Sequence, residues 1–221
     1  MNHHNFLWHI SLPGRHDHVT PAGSLEHVMK LITTHDQALR QATASWFSAR
    51  PARDTELVHV AFFGQFTPVQ GAPVVGTAIA ALSGDPRFVF TVIGSGPDLP
   101  ATRTAAAPNA WVTWREWVAA HELPGLIAGH DVCLGIFGTS RRALSVVPTE
   151  VYQAAAAGCA VVTSDTAPQR AAFGDAAVLV PAGDPAALAS ALRRLADEPD
   201  ELTRLRKAAR DRARERFSAG A

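Results

Sequence analysis

From Leu57 onward the chain repeats one pattern: a short uninterrupted apolar run, then a turn, then a segment with helical spacing. The runs are "LVHVAFF", "RFVFTVIG", "NAWVTW", "HDVCLGIF", "CAVVTSD" and "AAVLVP". A strand that is apolar on both faces must be covered on both faces. Such strands, alternating with helices, form a parallel sheet sandwiched between helical layers. The helical segments between them are "PVVGTAIAAL", the weaker "VAAHELPGLIAG", bent or started again at Pro124, and "PTEVYQAAAAG", with Pro148 near its first turn and Gly158 as its C-cap. "DPAALASALRRLAD" and "PDELTRLRKAARDRARERF" close the chain as two more helices, the second with a basic outer face. The fold class is therefore α/β, a parallel sheet of about six strands with helices on both faces.

Residues 1–56 have a different texture and read as an N-terminal extension and linker, with the α/β domain at 57–221. Seven of the ten histidines fall there. One amphipathic helix is expected over 24–42, with Ser24 as N-cap, and Pro51 breaks any helix in the linker. His3-His4 and His16-x-His18 lack a cysteine or carboxylate cluster to complete a site, so no metal is expected. Lysine plus arginine balance aspartate plus glutamate at 20 each, which argues against a general nucleic-acid binder or a basic membrane-surface protein. No apolar run reaches the length of a membrane span, and no signal peptide is evident. Cys133 and Cys159 sit in apolar stretches, where a thiol packs as a small hydrophobe. Together these features predict a cytoplasmic protein.

In a parallel α/β sheet the ligand lies at the carboxyl ends of the strands. The informative loops are thus those after Phe63, Ile93, Val112, Ile136 and Thr163. "GQFTPVQG" brackets a turn with Gly64 and Gly71 and leads into a helix. Its amides could approach an anion, although a plain strand-to-helix turn fits the spacing equally well. It is no P-loop, because Gly-Lys-Ser/Thr is missing. "GSGP" offers Gly94 and Gly96 but lacks the third glycine of a dinucleotide fingerprint, and a tight turn explains it as well. After the fourth run, Phe137, Gly138 and Thr139 form a flexible turn. Arg141 and Arg142 then place two guanidinium groups, suited to phosphate, at the ligand edge. Glu150 and Gln153 are three apart and share a helix face, where a side chain could bond a ribose hydroxyl. Asp165 and Thr166 border the same edge, or simply cap the segment from Ala167. There is no Gly-x-Ser-x-Gly elbow and no Asp-x-Asp motif.

Taken in order, "VAFFGQFTPVQG", "FTVIGSGP", "NAWVTW", "HDVCLGIF", "VVPTEVYQAAAAGCAVVTSD", "AAVLVPAGDPAALASALRRLADEP" and "RERFS" resemble the C-terminal Rossmann domain of GT-B glycosyltransferases of family 4. The resemblance covers about Val58 to Phe217 and implies one Rossmann-like half of a GT-B fold. It implies a donor that is a UDP-, GDP- or ADP-sugar, transfer with retention to an unknown acceptor, and no cofactor or metal. Carried over by motif, Gly64, Gln65, Gln70 and Gly71 would face the diphosphate, with Gly94 and Gly96 in the next turn. Val112 and Trp114 would lie near the base. Phe137, Gly138 and Thr139 would meet sugar and phosphate, and Gln153 the ribose. Arg141, Arg142 and Glu150 complete the expected donor-binding set.

The chain departs from that family at several of these positions. Arginine is usual at Gln65 and lysine at Gln70. The two-glutamate signature falls on Ser145 and Gln153, and the related "VVPxKVYQ" pattern has lysine at Glu150. Arg141 and Arg142 could replace part of the lost charge. Only about 56 residues precede the match, so the acceptor-binding half is expected to be missing, supplied by another chain, or replaced by self-association. A non-catalytic nucleotide-sugar-binding module and an inactive fragment are the alternative readings.

Overall fold

The computed structural model describes residues 45–47 and 56–217, so the helix expected over 24–42 lies outside the described residues. Six strands form one sheet: β1 (Val58–Phe63), β2 (Phe88–Ile93), β3 (Val112–Arg115), β4 (Val132–Leu134), β5 (Ala160–Ser164) and β6 (Ala177–Val180). Their spatial order is β3-β2-β1-β4-β5-β6, and every pairing is parallel. Seven α-helices connect or follow them: α1 (Ala72–Ala81), α2 (Leu99–Ala106), α3 (Leu123–Ala128), α4 (Thr149–Ala157), α5 (Ala167–Phe173), α6 (Pro185–Asp197) and α7 (Pro199–Phe217). This is the expected α/β architecture, a Rossmann-type sheet of six strands.

Burial explains why the strands read as unbroken apolar runs. Val58, Val60 and Phe62 of β1 pack on one side of the sheet with α1 and α6. Ala61 and Phe63 of the same strand pack on the other side with α3 and α4. Both faces of β1 are thus removed from water, and period-two alternation has no exposed face to mark. Ala154, Ala155, Ala156 and Ala157 are all buried. The alanine run is therefore packing: α4 lies against both β5 and α7, and small side chains let the backbones come close.

The basic outer face expected for the last helix is only partly outward. Arg204, Lys207 and Arg214 are exposed. Arg206 turns inward instead, with its Nε donating to Gly158 O at 3.2 Å and Nη1 3.6 Å from Asp131 Oδ1. Arg210 Nη2 donates to Phe47 O at 3.0 Å. That bond fixes a 3-10 turn, Ser45–Phe47, whose Trp46 ring stacks on Phe63 at 5.9 Å between centroids. Trp46 is only 4% exposed. Cys133 and Cys159 are buried thiols, and burial pushes the Cys133 thiol well above its usual range.

Candidate functional site

The chain runs from β1 outward to β2 and β3, then crosses back to place β4 on the other side of β1. The loops after β1 and β4 therefore leave the sheet in opposite directions and open a crevice between them. Ligands of doubly wound sheets bind at such a switch point. A cleft of ≈ 440 Å³ lies there. Its size is within the range of small-molecule sites, about 300–1,000 Å³.

One wall comes from the end of β1 and its turn: Phe63, Gly64, Gln65, Thr67, Val69 and Gln70. The other comes from the segment leading into α4 and its first turns: Arg142, Val146, Pro148, Thr149, Glu150 and Gln153. Leu123 of α3 completes the lining. Glu150 and Gln153 do share a helix face, and that face is turned to the cleft. The charged groups of the lining are one guanidinium, Arg142, and one carboxylate, Glu150.

Several amides of the β1 turn are used within the protein. Gly64 N donates to Ile93 O, Phe66 N to Ser95 O, Thr67 N to Gln65 O, and Gln70 N to Thr67 O, all at 2.9–3.0 Å. Of the turn residues singled out in the sequence, Gly64, Gln65 and Gln70 line the cleft. Gly71 adopts the left-handed conformation (φ 65), and a Cβ there would run into the backbone of Phe137 and Gly138. A residue other than glycine would strain this corner. Gln70, 6% exposed, donates from Nε2 to Glu150 Oε1 at 3.1 Å.

The other sequence-expected positions lie outside the cleft lining. Gly96 lies against the β1 turn, where a Cβ would sit 2.5 Å from Phe66 O. Gly94 packs against Gly64. Phe137 is fully buried in the core beside β1; its N donates to Gln70 O and its O accepts from Gly183 N, both at 2.9 Å. Gly138 packs on the carbonyls of Pro68 and Val69, and exposed Thr139 meets Gly183. Val112 and Trp114 pack on the core at the α1 side, with the Arg103 guanidinium 5.3 Å over the Trp114 ring. Arg141 is exposed, and its carbonyl accepts from Ser145 Oγ at 2.7 Å. None of these side chains lines the cleft. Asp165 pairs with Arg170 at 2.5 Å, and Thr166 caps α5 by accepting from Gln169 N at 3.4 Å.

Phe63, Thr67, Val69, Leu123, Val146, Pro148 and Thr149 line the cleft without having been picked out from the sequence. Most flank positions that were, so loop neighbourhood was the available signal. Leu123 carried none, being an ordinary apolar residue at the start of a short helix. Among the described residues no cluster of three or more histidine, cysteine, aspartate or glutamate side chains could hold a metal ion. No described helix is long and apolar enough to cross a membrane.

An all-parallel six-stranded sheet with a cleft at its switch point defines a Rossmann-like α/β domain, here one half of a GT-B fold. More particularly, the chain belongs to the glycosyl transferases group 1 family, whose model matches residues 58–198. No curated protein matches it. Several solved structures share the fold. Sucrose-phosphate synthase from Thermosynechococcus elongatus is 20% identical with a TM-score of 0.62, over 73% of this chain and 42% of that one. Alr3699/HepE from Anabaena, solved with UDP, is 16% identical with a TM-score of 0.63, over 89% of this chain and 50% of that one. The same protein has been solved with UDP-glucose. The C-terminal domain of LpcC, a group 1 glycosyl transferase of Francisella tularensis, is 16% identical with a TM-score of 0.61, over 83% of this chain and 93% of that one. The chain thus spans about half the length of the full-length enzymes it resembles.

Proposed function

We propose that the chain is the donor-binding part of a retaining glycosyltransferase and takes a nucleotide-diphosphate sugar in the cleft between the β1 turn and α4. The observation that carries this reading is the cleft itself, open at the switch point of a group 1 family domain and lined by hydrogen-bonding side chains from both walls. UDP and UDP-glucose bound to the Anabaena protein support the ligand class. In this reading Arg142 faces the diphosphate, Gln153 bonds a ribose hydroxyl, and the backbone of Phe137–Thr139 borders the sugar. The domain contributes positioning and charge stabilisation. No cofactor or metal takes part, the acceptor is bound by another domain or chain, and the chain works in the cytoplasm.

A non-catalytic nucleotide-sugar-binding module is the second reading. It is favoured by the Gln70–Glu150 pair, an amide and a carboxylate where a diphosphate-binding cleft calls for cations. Thermal-shift titration of the chain with UDP, GDP, ADP and their sugars tests the binding common to both. A ligand of the folded state raises Tm once its concentration exceeds Kd. A rise with one nucleotide is expected, and no rise with any of them at millimolar concentration would sink both readings. Glycosyl transfer with a supplied acceptor domain then separates the first from the second.

A further inference from the structure

β3 ends the sheet on one side and β6 on the other, and the two edges are finished differently. In β6, Ala177, Val178 and Val180 are buried and Leu179 is half-buried. β3 alternates instead. Val112 and Trp114 pack on the core, while Trp111, Thr113 and Arg115 are exposed on the opposite face. Trp111 is 60% exposed, an unusual place for a large apolar ring. Among the described residues, no hydrogen bond or ion pair engages that ring or the Arg115 guanidinium.

Pairing with β2 fixes which backbone groups of β3 are used. Phe90 N donates to Trp111 O and Gly94 N to Arg115 O. Val112 pairs with Phe90 and Trp114 with Val92 in parallel register. In that register Trp111, Thr113 and Arg115 bond to β2, and the N–H and C=O of Val112 and Trp114 point away from the sheet. A row of such groups is a template for another strand. The edge is complementary to itself. Set antiparallel about a twofold axis through Thr113, Val112 exchanges both hydrogen bonds with the partner's Trp114. The same register puts Trp111 opposite the partner's Arg115, at a non-hydrogen-bonded pair where facing side chains lie closest. A guanidinium against an indole is an attractive contact, and the symmetry makes it twice. An isologous contact of this kind closes at two copies.

We infer that two copies of the chain associate edge to edge through β3, giving one sheet that runs on from copy to copy. No residue of β3 lines the cleft, so the association is independent of the nucleotide reading.

Sedimentation equilibrium of the whole chain, without nucleotide, tests this. A monomer–dimer equilibrium that goes no further is expected. Trp111→Lys sets like charges opposite each other and is expected to weaken the dimer by about tenfold or more. Adding Arg115→Glu to that variant makes the facing pair oppositely charged and is expected to recover most of the loss. Recovery by the second change is what a merely structural role for Trp111 would not give. Thr113→Cys brings two thiols together at the axis and is expected to form a disulfide-linked dimer on mild oxidation. The parent, whose Cys133 and Cys159 are buried, is not. If Trp111→Lys does not retain the melting transition, the Thr113→Cys cross-link decides. A chain that stays monomeric overturns the inference, as do species larger than a dimer or a dimer that folded Trp111→Lys leaves equally tight. Nucleotide binding, measured separately, stands or falls on its own.

Discussion

Asp85, in the turn between α1 and β2, accepts from Arg87 Nε at 2.9 Å and from Nη2 at 2.7 Å. The same guanidinium reaches Asp197 at the end of α6 at 2.6 Å. The hydrogen bond from Arg87 holds the Asp85 carboxyl below its usual value of 3.8. A lowered folded-state pKa stabilises the fold above the unfolded value, and that contribution is lost as pH falls through the folded one. Asp85→Asn should therefore lower Tm at pH 7, and the difference from the parent should shrink as pH falls below 3.8. The pair is partly exposed, so the effect is about 0.5–1 kcal/mol, or about 1–3 °C by calorimetry at the two pH values. At this scale the sequence disclosed individual residues better than their partners. Glu150 and Gln153 stood out as polar residues sharing a helix face after a strand end, and Gln70 through the family resemblance. That Gln70 meets Glu150, 80 residues away, is a product of tertiary packing that no local pattern encodes.

The helices differ in how much of their formation is written locally. α6 carries its own start signal: Asp184 accepts from Ala186 N at 3.0 Å and from Ala187 N at 2.9 Å, and Pro185 supplies the first helical φ. Asp184→Ala should cost about 1 kcal/mol, or about 2–4 °C in Tm, with near-native helix content by circular dichroism. An unchanged Tm would mean that packing of Leu188, Leu192 and Leu195 holds the helix end without its cap. The strands were legible because both of their faces are buried. α2 was not: "LPATRTAA" has a single large apolar residue, and only Thr102 and Ala106 are buried. Its helix is dictated by the space beside α1, where Gly76 lies against the Thr102 carbonyl. The weaker stretch around Pro124, expected to bend or start again there, is a helix of six residues from Leu123 with Pro124 in its first turn.

At the scale of the whole molecule, Trp46 joins the residues before the domain to the wall of the cleft. Its indole stacks on Phe63, whose side chain lines the cleft, and Arg210 secures the neighbouring Phe47 carbonyl. Trp46→Ala should destabilise the domain by about 3 kcal/mol, read as a fall of several degrees in Tm by calorimetry. A Tm equal to the parent's would show that the turn contributes nothing to the domain. The strand order has a consequence of another kind, in time. β1 is the central strand and the first of the six to be synthesised. Val60 pairs with Phe90 on one side and with Val132 on the other. Between the appearance of β2 and that of β4, the growing chain holds a largely apolar strand with one edge unmatched. Such an edge recruits other strands until its proper neighbour arrives. Non-local parallel pairing is also slow to form. The interval in which this chain is most prone to aggregate is therefore set by the rate at which residues 94–134 are made.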